Sequence, residues 1–231
     1  MKLLLTSAGL RNATLLDTLR TMLDQPFAAA NVVYIPTASM AEPGDHGWVL
    51  DDMTRVRALG WREFDILELN GLPPELVRAR LRHADVIYVS GGNHYHLARS
   101  ITRNDLAAAF LEALETRVYV GLSAGSMLFS RNLNEHGADV LGDAADLHLL
   151  GATTVEPPFA RFDWYLKPHL YSPDFPDRDD TWADTIAARA DFPIYFIDDD
   201  TAIRVDGDHL DVVSEGRWRL TPADHGGGPR T

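Results

Sequence analysis

Short, unbroken apolar runs alternate with longer stretches in which apolar residues return every three or four positions. The runs at Lys2–Thr6, 32–35, 64–67, 85–89 and Val118–Leu122 have the length and β-branched content of strands. Between them the spacing predicts helices. Residues 12–23 place Leu15, Leu16, Leu19 and Leu23 on one face. Residues 47–59 stop at Gly60, residues 73–81 open on prolines, and one or two helices cover 94–115. Strand–helix alternation of this kind predicts a parallel sheet covered on both faces.

Beyond residue 131 the pattern loosens. Residues 132–146 read as a polar loop and 147–155 as a strand, which Pro157 and Pro158 end. Residues 164–170 read as a short extended piece, 173–180 as a loop rich in Asp and Pro, and 181–190 as a helix. Three late strands follow at 194–197, 202–205 and 209–213. They turn at Asp198-Asp199-Asp200 and at Asp206-Gly207-Asp208. The division expected is one α/β domain over 1–220 and a frayed tail over 221–231.

Length and composition narrow the function classes. A chain of 231 residues with 45% apolar content is long enough for one α/β domain with a sizeable core. Cysteine is absent, which excludes disulfides, thiolate metal sites and a cysteine nucleophile, and fits a reducing cytoplasm. The first apolar run is too short for a signal-peptide core, and no run is long enough to cross a bilayer. A net charge of −13 argues against nucleic acid and against an anionic membrane surface as partners.

Candidate chemistry centres on Gly121-Leu122-Ser123-Ala124-Gly125, directly after an apolar strand. Gly-x-Ser-x-Gly at a strand-to-helix turn pushes the serine hydroxyl out at the strand's carboxyl end. The helix behind it directs backbone N–H groups to the same spot. An idle serine in a small-residue turn has the same sequence. A serine nucleophile needs a base, and the base needs an orienting acid. Among nine histidines, His169 stands out, since it follows the serine in chain order, ends an extended piece and is fixed by Pro168. A plain hydrogen-bonded histidine at a strand end is the alternative. Histidines 94 and 96 lie two apart, a spacing unsuited to a metal pair on one helix. The turn Gly91-Gly92-Asn93 also follows a strand. Binding groups gather beyond such strand ends, so Gly91 and Asn93 are expected beside a substrate. The N–H groups of Gly92 and Ala124 could form an oxyanion hole, although glycine-rich turns equally serve phosphate sites.

The combination of Gly-Gly-Asn after a strand, Gly-Leu-Ser-Ala-Gly-Ser, Pro-His and a late strand–acidic turn–strand resembles the peptidase E (aspartyl dipeptidase) family, over roughly residues 2–213. The resemblance implies a flavodoxin-like, class I glutamine amidotransferase-like α/β/α sandwich with a mostly parallel sheet. It implies a serine peptidase for short peptides with amino-terminal aspartate, cytoplasmic, free of cofactor and metal, in a family with homodimeric members. Ser123 matches the family nucleophile and His169 the base. Asp199 matches the orienting acid, where the family usually carries glutamate; the shorter side chain requires the turn to approach His169 more closely. Arg178 is the nearest match to the family's substrate-carboxylate cation, although acids surround it in sequence. Alternatives are a cyanophycinase-like hydrolase, an esterase, or a non-catalytic flavodoxin-like protein that binds an anion.

Overall fold

The structure is a computed structural model and describes residues 1–221. Its strands are β1 (Lys2–Thr6), β2 (Asn31–Ile35), β3 (Glu63–Ile66), β4 (Val86–Val89), β5 (Val118–Leu122), β6 (Tyr165–Lys167), β7 (Ile194–Ile197), β8 (Thr201–Asp206), β9 (His209–Ser214) and β10 (Trp218–Thr221). Its helices are α1 (Ala13–Leu23), α2 (Gly47–Arg57), α3 (Pro74–His83), α4 (His94–Arg103), α5 (Ala107–Ala113), α6 (Ala124–Met127), α7 (Glu135–Leu141), α8 (Ala144–Leu149) and α9 (Asp180–Ala187).

Seven strands form one sheet in the order β3-β2-β4-β5-β1-β8-β9. The first five are parallel, and β8 and β9 add an antiparallel edge. The continuous apolar runs are explained by burial on both faces. Side chains alternate across a strand, so neighbours enter different cores. Leu3, Leu5, Val33, Ile35, Ile87 and Val89 pack with Val77, Leu81, Leu97 and Ile101 of α3 and α4. Leu4, Val32, Tyr34, Val86, Tyr88 and Val120 pack with Leu15, Leu19 and Met22 of α1 and Val56 of α2. Two cores on either side of one sheet make the three-layer α/β/α sandwich expected of a flavodoxin-like fold. Asn12 caps α1 by accepting from the Leu15 N–H at 2.9 Å.

A second sheet, β10-β7-β6, stands beside the first. Its residues Tyr165, Leu166, Ile194 and Phe196 share the core that holds Leu3 and Leu5. The chain leaves β7, turns through residues 198–200 and enters the main sheet as β8. Because β8 runs against β1, its first residues lie beside the last residues of β1, with Ala202 opposite Thr6. The start of β8 and the carboxyl ends of β1, β4 and β5 therefore meet at one edge.

Two expectations fail, and one strand was not foreseen. The segment read as a loop over 132–146 contains α7 and the start of α8. Asn134 caps α7 through the Gly137 N–H at 2.9 Å, and Ala138, Val140 and Leu141 are buried at helical spacing. The strand expected over 147–155 does not form. Leu147 lies inside the short helix α8 and is its buried residue, and beyond Leu149 the chain runs on to Val155 without a ladder partner. Strand β10 was not legible, because Trp218, Arg219 and Leu220 stay at least partly exposed and give no clean alternation. Thr221 belongs to β10, paired with Ile194, and the rest of the expected tail, 222–231, lies outside the described residues. Among the described residues, no helix is long and apolar enough to cross a membrane.

Candidate active site

Ser123 sits between β5 and α6 with φ 47° and ψ −107°, a backbone region that side chains other than glycine rarely occupy. The surrounding packing holds it there. Its N–H donates to the Thr6 carbonyl at 3.1 Å, and the Ser126 N–H returns to the Ser123 carbonyl at 2.8 Å. The Ser126 hydroxyl donates to the same Thr6 carbonyl at 2.7 Å. Gly121 and Gly125 allow the close crossing, since a Cβ on Gly121 would lie 2.7 Å from the Gly125 carbonyl carbon and one on Gly125 would strike the Val89 carbonyl. Gly125→Ala is accordingly expected to destabilise the protein by about 1–3 kcal/mol, read as a lower urea midpoint at unchanged slope.

His169 lies just beyond β6 with φ 67°, in left-handed backbone. Its N–H donates to the Ser7 hydroxyl at 2.8 Å, and the next residue, Leu170, donates to the Ile197 carbonyl at 3.1 Å. The ring is thereby turned toward the tip of β5. His169 Nε2 lies 2.9 Å from Ser123 Oγ, and Nδ1 lies 2.7 Å from Asp199 Oδ1. Donation from Nδ1 to the carboxylate leaves Nε2 as the acceptor for the serine proton.

The shorter acid reaches the ring because the turn itself is brought in. Ser7 Oγ donates to Asp199 Oδ1 at 3.1 Å and Ser172 Oγ to Oδ2 at 2.6 Å. Burial alone would raise the Asp199 carboxyl, but the hydrogen bonds from His169, Ser172 and Ser7 outweigh it and hold it at about 2. The adjacent acids do other work. Asp198 accepts from Thr201 Oγ1 at 2.6 Å and from the Arg217 N–H, and so braces the turn. Asp200 is exposed, and its backbone carbonyl accepts from Asn12 Nδ2 at 3.0 Å. Neither is a candidate for the ring.

These groups open on a cavity of about 630 Å³, lined also by Gly91, Gly92 and Arg178. Gly92 has φ 124°, and a Cβ there would meet the Ala38 backbone at 2.5 Å. The N–H groups of Gly92 and Ala124 donate to no other group among the described residues. Asn93 does not fit the expected place. Its Oδ1 caps α4 through the His96 N–H at 2.8 Å and its Nδ2 donates to the Asp146 carbonyl at 3.1 Å, so its polar atoms are committed to the protein.

Arg178 is half-buried in the cavity wall, and Nη1 donates to the Pro168 carbonyl at 3.2 Å. Burial lowers its pKa, against the pull of Asp143, Asp146 and Asp199. Among the described residues no carboxylate forms an ion pair with it. Of the acids near it in sequence, Asp179 caps α9 through the Trp182 N–H at 2.9 Å and Asp180 accepts from Tyr171 Oη at 2.5 Å, while Asp174 lines the same cavity. Asp143 is taken by the buried Lys167, with Nζ 2.6 Å from Oδ1.

Sequence reasoning missed Ser7 and Ser172. Ser7 follows β1 at the same sheet edge as Ser123, which is the signal that could have found it. Ser172 carries no comparable signal.

A hydroxyl, an imidazole and a carboxylate in hydrogen-bonded line at the strand ends of an α/β sheet are the arrangement of the serine hydrolases. Comparison narrows this class. The model of Peptidase family S51 matches residues 3–213, and the chain belongs to that family of serine-type peptidases. An uncharacterised peptidase of Pasteurella multocida (strain Pm70) is 26% identical over 186 residues, 77% of this chain and 82% of that protein. The Drosophila melanogaster protein named "Probable alpha-aspartyl dipeptidase" is 26% identical over 229 residues, 97% of this chain and 90% of that protein. The crystal structure of a Listeria monocytogenes EGD-e protein assigned to peptidase E shares the fold, with a TM-score of 0.73 at 22% identity over 93% of this chain and 98% of that one. A peptidase from an acI-B1 actinobacterium does so with a TM-score of 0.66 at 20% identity, over 96% of this chain and 91% of that one.

Proposed function

We propose that this serine peptidase cleaves short peptides with amino-terminal aspartate through a Ser123–His169–Asp199 triad. The observation that carries the reading is the hydrogen-bonded line from Asp199 through His169 to Ser123, in one cavity with an arginine that has no carboxylate partner among the described residues. The name of the Drosophila relative supports the aspartyl preference. A cavity of about 630 Å³ suits a dipeptide-sized ligand.

Ser123 Oγ attacks the scissile carbonyl carbon while its proton passes to His169 Nε2. The C–O bond forms, and the carbonyl π pair moves to oxygen. The N–H groups of Gly92 and Ala124 receive that oxyanion. Asp199 holds the imidazole by Nδ1 and stabilises the imidazolium. The C–N bond then breaks as His169 gives its proton to the leaving amine. Water, deprotonated by His169, attacks the acyl-enzyme and releases the acid. Arg178 takes the aspartyl side chain, and Gly91, where a Cβ would press on Leu122 and Ser123, lets the backbone lie close beside the nucleophile.

The test is a panel of dipeptides that differ only in the first residue. Wild type is expected to prefer aspartate. Arg178→Met is expected to lower kcat/KM for the aspartyl substrate by about 100-fold, the loss of a charge-assisted hydrogen-bond pair worth about 3 kcal/mol, while alanyl substrates change by less than about threefold. A flat wild-type panel, indifferent to Arg178→Met, removes the aspartyl preference and leaves a peptidase of other selectivity.

A further inference from the structure

Phe175 touches two of these groups. Its ring stacks on the His169 imidazole, with centroids 4.7 Å apart and planes 27° from parallel. The Arg178 guanidinium carbon lies 4.0 Å from the centroid of the same ring. Phe175 is also a wall of the cavity and is 38% exposed. The three residues belong to one tightly folded loop. Within it the Ser172 N–H donates to the His169 carbonyl at 3.3 Å, the Phe175 N–H to the Ser172 carbonyl at 3.0 Å and the Arg178 N–H to the Phe175 carbonyl at 3.0 Å. The Tyr171 N–H closes the loop on the Arg178 carbonyl at 2.6 Å.

We infer that Phe175 is a positioning residue that holds the base and the substrate-reading cation in one register. This rests on the roles proposed above for Ser123, His169 and Arg178. The hydrogen bonds leave part of the ring's motion free. His169 is tied at both nitrogens by hydrogen bonds to Ser123 and Asp199, and the N–H and lone pair of an imidazole both point along the ring plane. They fix where the ring's edge points and leave it free to tilt about the line joining its nitrogens. A flat ring against its face removes that freedom. Among the described residues Arg178 has a single side-chain hydrogen bond, at Pro168, and the Trp182 ring is farther off at 5.5 Å, so without Phe175 its guanidinium would sample more rotamers. Stacking on an aromatic face narrows them. The face has a second effect during reaction, because the imidazole becomes a cation and a π-face attracts cations. The developing imidazolium and the guanidinium then both lie against the same electron-rich ring.

Leucine separates this role from simple filling, since it is apolar and of similar bulk but has no ring face. Phe175→Leu is expected to lower kcat about tenfold for every substrate in the panel and to slow labelling of Ser123 by a serine-reactive phosphonate to the same degree. It is also expected to reduce the aspartyl-to-alanyl ratio of kcat/KM about fivefold, through KM, while the melting temperature moves little. Phe175→Tyr, which keeps the ring, should return all three readouts to within about twofold of wild type. If wild type is labelled but Phe175→Leu matches it in kcat, labelling rate and substrate ratio, the positioning role is wrong and the triad stands. Equal losses in the leucine and tyrosine variants, with lowered melting temperatures, likewise overturn it in favour of loop packing. A wild type that phosphonate never labels overturns the triad reading, and the inference falls with it.

Discussion

Ser123→Ala should abolish hydrolysis, with kcat lowered about 10⁶-fold, and leave the fold intact. The hydroxyl sits 2.9 Å from His169 Nε2, and among the described residues it hydrogen-bonds to no other nitrogen. The variant is expected to bind substrate normally, since Arg178 and the cavity wall remain, and to lose phosphonate labelling completely. The backbone supplies a second arm. With φ 47° and ψ −107°, residue 123 carries strain that a Cβ makes worse and glycine relieves. Ser123→Gly should therefore be as inactive as alanine but more stable than it by about 1 kcal/mol. Urea unfolding of wild type and the two variants checks the order. Alanine equal to or above glycine would mean that the turn is not strained, and residual activity in either variant would remove Ser123 from the chemistry.

Asp199→Asn should lower kcat by about 10⁴-fold, because an amide can no longer fix the imidazole as the Nδ1–H tautomer. The carboxylate accepts from His169, Ser7 and Ser172, and an amide cannot serve all three donors. Asp200→Ala is the matched control, expected to keep activity within about twofold, since its exposed side chain touches nothing at the site. Asp198→Ala is a poor control, because its carboxylate braces the turn through Thr201 and Arg217. The acid limit of stability gives an independent reading. The Asp199 carboxyl is depressed to about 2, below its ordinary value. Its contribution to stability is therefore present in full above the unfolded value of about 4 and is lost as pH falls from there through about 2. Asp199→Asn should lack that part of the acid transition. Identical acid unfolding of variant and wild type would contradict the depressed carboxyl.

The sheet was legible because burial on both faces turns a parallel strand into an uninterrupted apolar run, as at residues 32–35 and 85–89. Ser123 and His169 were legible for local reasons, one lying between glycines after a strand and the other behind a proline. Asp199 was not selected by local pattern, since three adjacent aspartates look alike in sequence. Resemblance singled it out, and the structure places it against the ring while its neighbours brace the turn or face solvent. What stayed hidden depends on contacts far apart in the chain. Ser7 meets Asp199 across 192 positions, and no window of sequence contains both. Helices α7 and α8 are short and buried only through a few apolar positions, and α8 even leaves Leu149 exposed, so propensity alone did not show them. Asn93 misled because an asparagine after two glycines serves a helix cap as readily as a ligand.

The direction of β8 has a practical consequence. Its first residues adjoin the reacting groups, and its six residues carry the chain about 20 Å away before it folds back at Gly207. That hairpin is the place to splice a peptide handle or a fluorescent reporter. A molecule tethered to a surface there would present its cavity mouth outward to the solvent that delivers its peptides.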